Sequence, residues 1–312
     1  MSPDSHANSL IRLIGLIRPD LIHSLEFQSA GYLTIKAKQL MKNTFPKWLV
    51  TNWGSDIYYF GRLKEHRNRI RDLLIESNYY SCECPRDIDL AKQFGFKDKT
   101  FLSTSNTGGF DLDWVRNNQI KNIGERKIIM LKGYQNWSGR ATVALDALER
   151  VGFLLRGYEL VVYGINPPNS ELICRANKLT TLNGAQLTIV PLNTEHDEIL
   201  KLHGKARISI GLSISDALST SAVEAMIMGS FPIQSNTACI IHTYLKNGIN
   251  GYLVPPEDIN SIALAINGAL TDDKLVAKAY EYNQLYVAPK FEYAKLKKET
   301  LKMYQNILND QS

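Results

Sequence analysis

The sequence predicts an α/β protein of two Rossmann-like, doubly wound domains, the first of them incomplete. Three observations predict it. From Lys127 onward, short apolar runs alternate regularly with stretches of helical period, as expected when helices cover both faces of a parallel sheet. A shorter version of the same alternation occupies the chain up to about Gly124. Residues suited to polar ligands gather just beyond the strands, where open parallel sheets bind ligands.

In chain order, residues 6–17 read as helix, DLIHS as strand and 27–42 as helix. KWLVTNW then reads as strand, 61–74 as helix, YYSC as strand, 85–94 as helix and TFLST as strand. In the second part the apolar runs KIIML, ELVVYG, LTIVP, ISIGL, FPIQS and GYLVP read as strands. Helices are expected between and after them at about 139–151, 168–178, 194–204, 221–229, 241–247 and 258–270. The tail contains the basic helical stretch YAKLKKETLKMYQNIL. The resulting division is 1–124, 125–285 and a terminal segment 286–312.

A chain of 312 residues is long enough for two cores. With 44% hydrophobic and 21% charged residues it fits neither a disordered nor a fibrous class. No apolar run reaches the length of a membrane span, and the first twenty or so residues lack a clear cleavage site. Cytoplasmic residence is therefore the expectation. Cys82, Cys84, Cys174 and Cys239 are scattered, and Cys82-x-Cys84 has no matching second pair. Neither a disulfide framework nor a zinc site is expected, and the thiols are expected to be reduced.

The most informative run is Ser215 to Asp258. Ser221 is expected to open a helix that Gly229 and Pro232 end, releasing the buried strand FPIQS. A helix N-terminus delivered at a strand's carboxyl end favours a diphosphate through its unpaired amides and dipole. The small side chains of Ser219, Thr220, Ser221 and Ala222 allow close approach. Glu224 has a competing structural role, because Ser221-x-x-Glu224 spells a capping box.

With Asp216 added at the head, the run resembles the second domain of GT-B glycosyltransferases of family 4, the group 1 family. That pattern is a carboxylate, seven residues, a glutamate, Ala-Met, Gly, a Pro-led strand and Asn-Gly-x-Leu-Val-Pro-Pro. Here it falls on Asp216, Glu224, Ala225-Met226, Gly229, Pro232 and Asn250 to Pro256. The resemblance implies a GT-B fold and a retaining glycosyltransferase moving a sugar from a UDP- or GDP-sugar to a glycan or lipid-linked acceptor. It implies that the terminal helix crosses back to the first domain. It also implies no cofactor and no metal, because protein cations neutralise the leaving diphosphate.

By that resemblance Asp216 lies beside the sugar and Glu224 holds ribose hydroxyls. Arg140 and Lys132 take the two cationic positions after the strand KIIML, with identities exchanged relative to the usual Gly-Arg and Lys. The alternative role of Arg140 is a surface pair with Asp146 or Glu149. Leu192 and Asn193 lie where relatives cradle the base through backbone groups, whereas Thr194-x-x-Asp197 also reads as an N-cap. On the acceptor side stand His23, Trp53 and Asp56. His23 equally fits a satisfied structural histidine. Trp53 replaces a histidine common in relatives; it can stack on a sugar but cannot exchange a proton at neutral pH.

Asp87-x-Asp89 and Asp111-x-Asp113 are too short a pattern to argue for a metal. The helix carrying Arg62, Lys64, Arg67, Arg69 and Arg71 fits a solvated face, or a peripheral contact with anionic lipid at the inner membrane face. No recognition motif for nucleic acid accompanies it. Residues 18–124 resemble the middle of the family's first domain, so the opening strands are expected to be missing. Self-association, or a partner chain, is expected to cover the sheet edge so exposed. Two other readings stay open: a non-catalytic nucleotide-sugar-binding or partner subunit, and another GT-B enzyme such as a nucleotide-sugar epimerase.

Overall fold

The computed structural model describes residues 3–103, 108–166, 168–237, 239 and 244–310. The chain divides into two compact units, Met1–Gly108 with Ala294–Ser312, and Gly109–Tyr293. Each holds a parallel sheet, ordered β1-β2-β3-β4 in the first and β10-β9-β8-β5-β6-β7 in the second.

In the first unit, α1 (Pro3–Ile17) precedes β1 (Leu21–Leu25). A π-helical turn, Phe27–Gly31, leads into α2 (Tyr32–Met41), followed by β2 (Lys47–Thr51), the short α3 (Ser55–Tyr58) and a 3-10 turn at Phe60–Arg62. Then come α4 (Lys64–Glu76), β3 (Tyr79–Cys82), α5 (Pro85–Gln93) and β4 (Lys99–Leu102). Alternation along the strands sends Trp48, Val50, Tyr80 and Cys82 into one core with Ile70, Leu73 and Leu74 of α4. Leu49 and Tyr79 face the other way, where Met303 and Ile307 of α13 (Tyr293–Leu308) cover them. The central strands β2 and β3 are thus buried on both faces, while the edge strands β1 and β4 are partly exposed.

The second unit begins with α6 (Leu112–Asn117). Residues 109–124, which the sequence grouped with the first domain, pack here: Phe110 N donates to Phe291 O at 2.8 Å, and α6 lies on the helix Thr220–Met228. The strands are β5 (Ile128–Lys132), β6 (Glu159–Tyr163), β7 (Gln186–Ile189), β8 (Ala206–Gly211), β9 (Phe231–Ser235) and β10 (Tyr252–Val254). The helices are α7 (Ala141–Arg150), α8 (Ser170–Asn183), α9 (His196–Lys205), α10 (Thr220–Met228), α11 (Ile259–Thr271) and α12 (Asp273–Tyr282). The sequence missed α12, whose start is marked by Asp272 accepting from Leu275 N. Of the helix expected at 241–247, residues 241–243 lie outside the described set and Tyr244 is in a turn.

Helix α10 is buried from Ser221 through Met228, so its ends decide its placement. Gly229 closes it in the left-handed conformation, φ 85°, and a Cβ there would stand 2.6 Å from the Tyr280 ring and 2.9 Å from Arg126 Nη2. The fully buried Arg126 donates to Ile120 O at 2.7 Å, to Ala206 O at 3.2 Å and to Gly229 O. One guanidinium thus ties the entry to the sheet, the start of β8 and the end of α10.

Cys82 and Cys174 are free thiols, as expected. No helix among the described residues is long and apolar enough to cross a membrane.

Replacing Gly229 by Ala combines a left-handed backbone with two close contacts. It should destabilise the protein by roughly 2 kcal/mol or more, seen as a lower urea midpoint with unchanged slope. An unchanged midpoint would contradict the tight closure of α10.

Candidate active site

In the second unit, the loops that follow neighbouring strands β5 and β8 are joined to each other. Gly139 bridges Ser213, Arg140 N donates to Leu212 O at 3.0 Å and Ile214 N donates to Ser138 O at 2.9 Å. A side chain at Gly139 would place its Cβ 2.2 Å from Tyr134 O, so the turn that presents Arg140 requires glycine. Ser235 Oγ accepts from Ser213 N at 2.7 Å, which fastens the second loop to β9 as well. Arg140 and Asp216 are therefore carried on two loops that share backbone bonds.

Helix α10 starts at Thr220, with Ser219 rather than Ser221 at the N-cap, and no side chain caps it. The hydroxyls of Ser219 and Ser221 face each other at 3.2 Å. The capping box does not form. Glu224, only 7% exposed, instead accepts from or pairs with His196 Nε2 at 2.7 Å through Oε1. His196 opens α9, and the Thr194-x-x-Asp197 cap is also not made, since Glu195 is the N-cap and offers no side-chain bond. The hydrogen bond that His196 donates to Glu224 raises its pKa above the usual value, against a smaller opposing effect of burial. Tyr163, buried at the end of β6, has its pKa raised first by burial and then by the Glu224 charge, with a hydrogen bond from Ser221 working the other way. Tyr163, His196, Ser221 and Glu224 thus converge at the start of α10. His196 and Tyr163 were not singled out from sequence. The only prior signal for His196 was its place in PLNTEHDEIL.

Arg140 does not pair with Asp146 or Glu149, both of which are held by Arg175. Its Nε bonds Glu257 Oε1 at 2.7 Å, and its Nη1 donates to Gly139 O at 3.0 Å. Lys132 lies over the Tyr134 ring, 4.4 Å from its centroid. Asp216 is half-buried and accepts from the amide of Ala217 at 2.9 Å. Leu192 and Asn193 are exposed in the turn before α9. Ala222 is buried and Thr220 exposed in the first turn of α10. The Asn-Gly of the Pro-Pro segment is structural: Asn250 is fully buried, donating to Asn283 Oδ1 at 2.7 Å and Tyr244 O at 2.9 Å, while a Cβ on Gly251 would meet Pro232 at 2.6 Å.

In the first unit, His23 has both ring nitrogens occupied, Nδ1 with Tyr304 Oη and Nε2 with Thr51 Oγ1, each at 2.7 Å. Burial lowers its pKa to about 4 and keeps the ring neutral. The structural reading of His23 accounts for both nitrogens. Asp56 is buried and binds backbone, accepting through Oδ2 from Phe27 N at 3.1 Å and Trp53 N at 3.0 Å. It joins the loops after β1 and β2, a role closer to scaffold than to ligand contact. Trp53 is half-exposed. Asp87 is bound by Asn52 and Arg86, and Asp111 caps α6. Among the described residues no group of three or more His, Cys, Asp or Glu side chains is arranged to hold a metal ion.

Two titrations follow from this geometry. In an NMR titration His196 should show a pKa above 6.5, and Glu224→Gln should bring it down; a value at or below 6.5 in the unaltered chain would contradict the pair. Asp56 has its pKa raised from 3.8 to about 7, chiefly by burial. The folded state then binds its proton more tightly than the unfolded chain, so this group's contribution to stability is full below about pH 4 and is lost as pH rises through about 7. Relative to Asp56→Asn, the unaltered chain should lose up to a few kcal/mol between those limits in urea denaturation. Parallel pH profiles would overturn the assignment.

The sequence matches two family models: glycosyl transferases group 1 over residues 116–286 and glycosyl transferase 4-like over residues 5–84. No curated protein sequence matches it. Among solved structures it is similar to HepE of Anabaena in complex with UDP, at 13% identity and a TM-score of 0.70, covering 96% of this chain and 82% of that one. Sucrose-phosphate synthase of Thermosynechococcus elongatus aligns at 17% identity with a TM-score of 0.73, covering 96% and 77%. The pneumococcal O-GlcNAc transferase GtfA, solved with UDP and GlcNAc, aligns at 13% identity with a TM-score of 0.75, covering 96% and 60%. The fold is that of the GT-B glycosyltransferases, and the chain belongs to the group 1 glycosyl transferases.

Proposed function

We propose that this glycosyltransferase is a retaining, metal-independent enzyme that transfers a sugar from a UDP-sugar, or failing that a GDP-sugar, to a hydroxyl of a glycan or lipid-linked acceptor. The observation that carries the reading is Glu224. It is a buried carboxylate released from helix capping and held by His196 at the start of an uncapped buried helix. A carboxylate accepts several hydrogen bonds at once, so Glu224 can keep His196 and still take ribose hydroxyls. UDP is favoured because HepE was solved with UDP-glucose and GtfA with UDP.

The first amides of α10 and the Arg140 guanidinium are the groups that would stabilise the departing diphosphate. Arg140 is held by Glu257, whose side chain is 65% exposed. An exposed pair of this kind is worth about 1 kcal/mol or less, so exchanging Glu257 for phosphate oxygens costs little. Lys132 would add a second cation, and Asp216 would contact the sugar. Charge stabilisation would dominate, with the acceptor hydroxyl approaching on the face the diphosphate leaves.

The direct test is sugar transfer from UDP- and GDP-sugars with the product's anomeric configuration read by NMR. Retained configuration is expected, with activity persisting in EDTA. Arg140→Ala should lower the rate about a hundredfold, more than Lys132→Ala does. Inversion, or activity lost to EDTA and restored by manganese, would contradict the mechanism. Nucleotide binding without any transfer would favour the non-catalytic subunit.

A further inference from the structure

The basic face noted in the sequence forms a lined pocket. Helices α3, α4 and α5 and the 3-10 turn Phe60–Arg62 enclose a cavity of about 380 Å³ wholly within the first unit. Four arginines line it, Arg62, Arg67, Arg71 and Arg86, together with the apolar Leu90 and Phe94. None of the described lining residues is acidic. We propose that this pocket binds a phosphate ester.

The site is built rather than merely charged. Arg86 is fixed through Nε to the fully buried Asp87 at 2.8 Å, and Asp87 is itself held by Asn52 Nδ2 at 2.8 Å. Arg86 and Arg62 both lie against the Tyr58 ring, 3.8 Å and 4.1 Å from its centroid, which orients two cations on one aromatic side chain. Arg67 and Arg71 stand four residues apart on α4, so they share a face and repel each other. The nearest acid to Arg71 is the exposed Asp72 at 3.8 Å, too loose a pair to neutralise the group. Gly61 brings the turn close to Phe94, where a Cβ would already stand 3.0 Å from the ring.

With Arg86 paired to Asp87, the remaining lining arginines Arg62, Arg67 and Arg71 meet no carboxylate in the lining, and their mutual repulsion is one that an anion removes. Phosphate is the anion matched to several guanidiniums, since its oxygens accept bidentate pairs from more than one of them. The volume exceeds what a bare phosphate fills and lies in the range of small-molecule sites. The wall of Leu90 and Phe94 takes up the organic part of an ester. The same chemistry is offered by a soluble phosphate ester and by the headgroup of an anionic lipid. The proposal does not depend on the donor site, which lies in the other unit.

The experiment titrates the full chain with glycerol 3-phosphate by calorimetry and, in parallel, floats it with vesicles of phosphatidylglycerol or of phosphatidylcholine. The double variant Arg67→Ala/Arg71→Ala is compared with Lys295→Ala/Lys298→Ala, which removes the same charge from α13. Thermal melts confirm that both fold. Glycerol 3-phosphate should bind saturably, weaken at least tenfold in the arginine variant and be unchanged in the lysine variant. If phosphatidylglycerol vesicles show the same pattern, the occupant is a lipid headgroup; if only glycerol 3-phosphate does, it is a soluble ester. Absence of binding in both arms, or equal loss in the two variants, would overturn the proposal.

Discussion

The site in the second unit depends on how helix α10 is held. A helix buried at every position from its second residue, Ser221, to its last has no amphipathic face to set its depth, so its position comes from its ends. Its C-terminal end is closed by Gly229 in the left-handed conformation and gripped by Arg126, whose guanidinium also binds Ile120 and Ala206. The N-terminal end, by contrast, has no side-chain cap. A fixed rear and an open front make the first turn available to an anion without the helix shifting to satisfy its own amides.

Much of the architecture was legible because parallel strands buried on both faces are nearly uninterrupted apolar runs. KIIML, ELVVYG, FPIQS and the rest fall on β5 to β10, displaced by a residue or two. What the pattern could not show was pairing across the chain. Ser221-x-x-Glu224 satisfies the local rule for a capping box, yet Glu224 turns to His196, twenty-eight residues away in sequence. Arg140 likewise passes over Asp146 and Glu149 for Glu257, because the bridge at Gly139 aims it across the loop. Helix α12 was missed although Asp272 marks its start.

The two units differ in how their polar groups are used. In the first, His23 and Asp56 were read as acceptor-side residues, but hydroxyls and amides of the same unit already bind them. Among the described residues there, Arg67, Arg71 and the half-exposed Trp53 present their side chains to solvent. In the second unit Asn250 and Gly251 serve packing, while Glu224 and the uncapped start of α10 are the groups with bonding capacity to spare. Distinguishing satisfied from unsatisfied polar groups separates scaffold from site in a way residue type does not.

The central claim is that Glu224 is a ligand-binding carboxylate and not a helix cap. Calorimetric titration of UDP into the unaltered chain and into Glu224→Gln tests it most directly, with urea denaturation of both. The account predicts at least tenfold weaker UDP binding in the variant with stability changed by about 1 kcal/mol or less. Unchanged affinity would contradict it.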